Sequence, residues 1–188
     1  PTGVKVKNLN SFQNYITWTG VNGDMMEYQV YRSCKYYSLK QCSLGTGSTY
    51  YKDSCGGMVP GVKYYYKVKS RVRFDDASAY TYSNNYSTTV AVVYTLPASQ
   101  ITKLSKASST SVKIYWSKVS AATGYKIYQK AKGGEWKCIK TITKNATLSY
   151  TKKSLHKGKT YYYKVRAYKT YDGHTGYAAY SDWKSKKL

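Results

Sequence analysis

The chain has 188 residues, 25 of them Tyr and 3 of them Pro, and a formal charge of +23 at neutral pH. That length allows one large domain or two of about 90–100 residues, and no apolar run is long enough to span a bilayer. Eight Asp/Glu and two His leave little from which to build a general acid–base pair, so composition argues against an enzyme.

The charge is uneven. Residues 1–97 carry 11 Lys/Arg and 5 Asp/Glu, net +6, whereas residues 98–188 carry 20 and 3, net +17. Such an excess favours acidic surroundings, among them acidic glycans, wall polymers, phospholipid head groups and nucleic acid. Cys34, Cys42, Cys55 and Cys138 show no C-x-x-C spacing, and His156 and His174 are the two imidazoles available, so no metal site is expected. No nucleotide-binding or nucleophile-elbow motif is present, and no cofactor is expected. With neither a signal peptide nor an initiator Met, the sequence reads as part of something longer.

In chain order, short segments rich in Tyr, Val, Ile and Thr alternate with turn residues. Strands are expected at 3–9, 13–19, 26–33, 38–45, 48–52, 62–73 and 79–94. A second series is expected at 101–106, 111–118, 123–130, 135–142, 147–150, 160–170 and 175–183. Gly133-Gly134 and Asp172-Gly173 supply turn chemistry, and Val112, Ile114 and Trp116 show the period-2 pattern of a half-buried strand. The two series are copies of one another. Trp18 returns as Trp116, Tyr28 to Tyr31 as Tyr125 to Tyr128, Tyr64 to Val68 as Tyr161 to Val165, and Tyr82-Ser83 as Tyr180-Ser181. Two domains are therefore expected, 1–96 and 97–188, joined through Leu96-Pro97-Ala98-Ser99.

Seven short strands per unit without a central Cys–Trp–Cys arrangement point to an all-β pair of immunoglobulin-like sandwiches. Met58-Val59-Pro60-Gly61-Val62-Lys63-Tyr64 resembles the fibronectin type III signature of an apolar residue, Pro-Gly and a tyrosine-corner Tyr. Leu155 to Tyr161 is similar, with Lys157 in the place of Pro. The resemblance covers essentially the whole chain. It implies seven-stranded sandwiches, core roles for Trp18 and Trp116, and tyrosine corners at Tyr64 and Tyr161. It also places the loops holding Cys34 and Cys55 at one pole. A Cys34–Cys55 disulfide then competes with free buried thiols. The Lys- and Tyr-rich character is similar to repeats of secreted and wall-attached Gram-positive proteins, which implies an extracellular or cell-surface location.

Alternation puts the first and third Tyr of each triplet inward. The outer face of the second unit is then expected to show Lys126, Tyr128, Lys130, Tyr162, Lys164, Arg166 and Tyr168. The first unit is expected to show Tyr31, Tyr65, Lys67, Lys69, Arg71 and Arg73. Such faces stabilise a sheet through cross-strand pairs, or bind an acidic or neutral polysaccharide, a cell-wall polymer or a host surface protein. Nucleic acid is disfavoured, because no recognition motif accompanies the basic residues. The expected function is a non-catalytic spacer or adhesive stalk beside neighbouring domains of a larger protein. The alternative is a carbohydrate- or wall-polymer-binding accessory of a secreted enzyme.

Overall fold

The computed structural model describes all residues except 11–12, 24–25, 44, 55–56, 74–79 and 84, and the side chains at 10, 73 and 80. The chain divides into two compact units, residues 1–58 with 62–94, and residues 59–61 with 95–188. All named elements are strands, and every strand pair is antiparallel.

In the first unit the strands are β1 (Thr2–Asn10), β2 (Gln13–Thr19), β3 (Met26–Cys34), β4 (Tyr37–Gln41), β5 (Tyr50–Ser54), β6 (Lys63–Arg73), β7 (Tyr80–Tyr82) and β8 (Val90–Val93). They form a three-stranded sheet, β1-β2-β5, and a five-stranded sheet, β4-β3-β6-β7, with β8 also on β6. The second unit contains β9 (Ile101–Ser108), β10 (Ser111–Trp116), β11 (Gly124–Ala131), β12 (Lys137–Ile142), β13 (Ser149–Lys152), β14 (Thr160–Tyr171), β15 (His174–Tyr180) and β16 (Lys184–Lys187). Its sheets repeat the plan, β13-β10-β9 and β12-β11-β14-β15, with β16 on β14. These are two sandwiches of the immunoglobulin-like kind.

The inward alternation produces the core. Val112, Ile114 and Trp116 are buried on β10, and Tyr161, Tyr163, Val165 and Ala167 on β14; Tyr64, Tyr66 and Val68 are buried on β6. Trp18 meets Tyr28 with ring centroids 5.4 Å apart, and Trp116 meets Tyr125 at 5.6 Å. The hydroxyl of each of these tyrosines accepts a backbone N–H at 2.9 Å, from Val21 and from Val119. Each tyrosine ring is thus removed from water while its hydroxyl is satisfied. The second tyrosine corner closes where Tyr161 OH accepts the His156 N–H at 3.0 Å. Gly61 and Gly158, each at φ 80°, make the turns that lead into the two Tyr triplets. A side chain is disfavoured in that left-handed conformation.

The final strand of each unit differs from expectation. Instead of continuous strands over 79–94 and 175–183, two short strands lie along different parts of β14 and of β6. The break falls at a serine. Ser181 donates its N–H to Val165 O and accepts the Val165 N–H on Oγ at 2.9 Å; Ser87 does the same with Val68. The side chain takes over one rung of the ladder, which satisfies the backbone across the interruption. The structural counterpart of Tyr180-Ser181 is therefore Tyr86-Ser87, not Tyr82-Ser83. The 98-residue offset at that point is a coincidence of sequence.

One buried polar cluster belongs to the first unit. Arg32 points inward on β3, and its Nη1 donates to Asp53 Oδ2 at 2.7 Å. Tyr66 OH donates to the same oxygen at 2.7 Å and accepts from Asn14 Nδ2 at 2.9 Å. The guanidinium lies over the Tyr37 and Tyr64 rings. Desolvation is the largest influence on Arg32 and opposes its charge, but the Asp53 carboxylate, together with Tyr37, Cys42 and Tyr66, outweighs it and keeps the side chain protonated. Cys34, Cys42 and Cys138 carry free thiols, Cys34 buried and Cys138 exposed. Burial pushes the Cys42 thiol up to about 12, which keeps it unreactive. Cys55 falls outside the described residues; Cys34, its expected partner, carries a free thiol.

Candidate binding faces

The faces are built from β3 against β6 and from β11 against β14. In the second unit the cross-strand pairs are Lys126–Arg166, Tyr128–Lys164, Lys130–Tyr162 and Gly124–Tyr168. In the first they are Gln29–Lys69, Tyr31–Lys67, Ser33–Tyr65 and Glu27–Arg71. Both sheets carry the same aromatic knot. Tyr31 meets Tyr86 at 5.1 Å and 88°, and Tyr128 meets Tyr180 at 5.2 Å and 81°. Over Tyr86 stand Lys67 at 5.6 Å and Lys69 at 5.3 Å; over Tyr180 stand Lys164 at 3.8 Å and Arg166 at 4.6 Å. Each such cation–ring contact contributes about 0.5–1 kcal/mol at a surface site. Burial raises the pKa of Tyr31, and burial together with Tyr180 pushes Tyr128 up to about 12.

The second face continues further than the first. Tyr162 meets Trp183 edge-on at 5.2 Å, and Trp183 is 57 % exposed. Lys130 stands over Trp136 and Tyr162 at 5.3 and 5.5 Å, and Lys164 over Trp136 at 4.6 Å. Lys126 and Arg166 stand over Tyr177 at 5.7 and 4.8 Å. The structure thus brings Lys126, Tyr128, Lys130, Tyr162, Lys164 and Arg166 together. Tyr31, Lys67 and Lys69 also gather, with Tyr65 exposed beside Lys63 at 5.6 Å. Trp136, Trp183, Tyr86, Tyr177 and Tyr180 complete the faces without having been singled out. The signal for Tyr86 and Tyr180 was the Tyr-Ser pair at the break in each final strand.

Two expected face residues are not free. Arg71 bonds Glu27 through Nε at 2.8 Å and through Nη2, because strand register sets opposite charges across from each other. Tyr168 has the outward parity but is buried. Its ring lies over Gly124 and its hydroxyl donates to Ile142 O at 3.3 Å. The side chain of Arg73 lies outside the described residues. A Cβ on Gly124 would come within 1.9 Å of Ile142 O and 2.9 Å of Tyr168 OH. Gly124→Ala is therefore expected to lower second-unit stability by about 1–3 kcal/mol in urea melts and to expose Tyr168.

Among the described residues both ion pairs, Arg32–Asp53 and Arg71–Glu27, belong to the first unit, and no group of three or more His, Cys, Asp or Glu is placed to hold a metal. No described helix is long and apolar enough to cross a membrane.

The architecture is that of two fibronectin type III-like β-sandwich folds in tandem. Residues 97–181 match the family model for the fibronectin type III domain. A two-domain fibronectin type III segment of chicken tenascin is similar over 100% of this chain and 99% of its own, with TM-score 0.65 and 13% identity. The FN1–FN3 domains of chicken CNTN1 align over 97% of this chain and 64% of theirs, with TM-score 0.43 and 17% identity. At 13% identity the likeness to the tenascin segment is one of fold. No curated protein sequence matches the chain.

Proposed function

We propose that the chain is a non-catalytic structural and interaction segment of a larger extracellular or cell-surface protein, a spacer or adhesive stalk. In this reading both halves are fibronectin type III domains that meet near Leu96-Pro97, and their partners include the neighbouring domains of the parent protein. The Lys- and Tyr-rich character supports a parent of the Gram-positive secreted kind. The observation that carries the reading is the repeated knot, in which Tyr86 and Tyr180 lie beneath two cations of their own sheet. A ring that serves as a sugar platform needs a bare face, whereas a ring clad in its own lysines reinforces the strands. Binding of the full chain to whole cells, isolated wall material and a neutral glycan panel tests this. Weak, unsaturated binding to the neutral glycans is expected, and tight saturable binding throughout would show more than a spacer.

A second reading, a carbohydrate- or wall-polymer-binding accessory of a secreted enzyme, is favoured by the exposed Trp183 beside Tyr162. It predicts that alanine at Tyr128, Tyr162 and Lys164 abolishes retention on the glycan. Unchanged retention would defeat it.

A further inference from the structure

We infer that the outer face of the second unit's large sheet binds linear anionic polysaccharides through charge, and that the matching face of the first unit does not. The inference rests on the interaction half of the reading above. Lys126 and Arg166 sit directly opposite each other on β11 and β14. Like charges so placed destabilise a bare sheet. The matching pair in the first unit is Gln29–Lys69, and the next pair there, Glu27–Arg71, is an ion pair. No Asp or Glu occurs in any of the five strands of the second unit's large sheet. The outer face therefore gathers Lys126, Lys130, Lys164 and Arg166 with no carboxylate from its strands to balance them, and an anionic ligand would relieve the repulsion.

Geometry supports the same assignment. The aromatic rings hold all four charged groups in place: Lys126 over Tyr177, Lys130 over Trp136 and Tyr162, Lys164 over Trp136 and Tyr180, and Arg166 over Tyr177 and Tyr180. Side chains already ordered lose less freedom on binding. By strand rise, Lys126 and Lys130 are about 13 Å apart along β11, and Lys164 and Arg166 about 7 Å apart along β14. That array suits a chain with repeating charges better than a single small anion. With cations over Tyr180, stacking contributes little and the attraction is ionic. No helix of this unit could enter a duplex groove.

The test uses the full chain with dextran sulfate, neutral dextran and duplex DNA as probes. Dextran sulfate is expected to bind, and neutral dextran not, with affinity falling at least about tenfold between about 0.15 and 1 M salt. Lys126→Gln with Lys130→Gln is expected to weaken dextran sulfate binding about tenfold, while Lys67→Gln with Lys69→Gln changes it less than about threefold. Lys126→Arg with Lys130→Arg keeps the charge and retains binding, which separates charge from folding; melting curves confirm that each variant is folded. Equal losses from the two Gln pairs, or none from the second-unit pair, would overturn the assignment of the face and leave the interaction reading standing. Tighter binding of DNA than of dextran sulfate would overturn the polysaccharide. Failure to bind any polyanion would remove the inference and leave a spacer.

Discussion

Asp53→Ala is expected to lower the stability of the first unit by about 3–5 kcal/mol, because it leaves the Arg32 guanidinium without its counter-ion in a largely buried site. Asp53 is 5 % exposed and accepts from both Arg32 and Tyr66, so one substitution strips two donors of their partner. Domains of this size are stable by about 5–15 kcal/mol in all, and the variant would sit near the folding threshold. Removing both charges, with Arg32→Met and Asp53→Leu, is expected to cost much less than Asp53→Ala alone, since no uncompensated ion remains. Urea unfolding with hydrogen exchange, which reports the two units separately, measures both. A wild-type midpoint for Asp53→Ala would show that the cluster contributes nothing.

Above pH 10 both units are expected to lose stability steeply. Burial raises the phenol pKa of Tyr66, helped by the Asp53 carboxylate, and burial likewise raises Tyr163 and Tyr125. All three are fully buried. A phenol held above its unfolded value of 10.0 favours the protonated, folded state. Its contribution is complete below pH 10 and is lost as pH rises from there toward the folded value. Each such tyrosine costs about 1.4 kcal/mol per pH unit in that window. A spectrophotometric titration should therefore show Tyr66, Tyr125 and Tyr163 ionising only as the units unfold. One reversible transition near pH 10 for all of them, with no loss of folding, would contradict the buried placement.

Much of this fold was legible in the sequence. Period-2 alternation identified the inward rings of each Tyr triplet, and the repeated Trp18 and Trp116 marked the core. Two kinds of information were missing. Register was one: Tyr82-Ser83 mimics Tyr180-Ser181 in sequence, but the hydrogen bonds of Ser87 and Ser181 fix the true correspondence at Tyr86-Ser87. What covers an outward side chain was the other. Tyr168 and Arg71 have outward parity, yet one lies across Gly124 and the other is paired with Glu27. Arg32 shares the inward parity of Tyr28 and Val30, but an isolated basic residue gave no sign of the distant Asp53 that makes its burial tolerable. Trp136 and Trp183 fall within the strands expected at 135–142 and 175–183, but the structure leaves both just outside its strands, where alternation does not set direction.

The central claim is that the outward rings are clad in their own cations and brace the sheets. Tyr180→Ala, with Tyr86→Ala as its counterpart, tests it by measuring unfolding free energy and neutral-glycan retention on the same samples. The account predicts that each substitution lowers the stability of its own unit by about 0.5–1.5 kcal/mol beyond the lost apolar area, with glycan retention unchanged. Loss of saturable glycan retention at unchanged stability would contradict it.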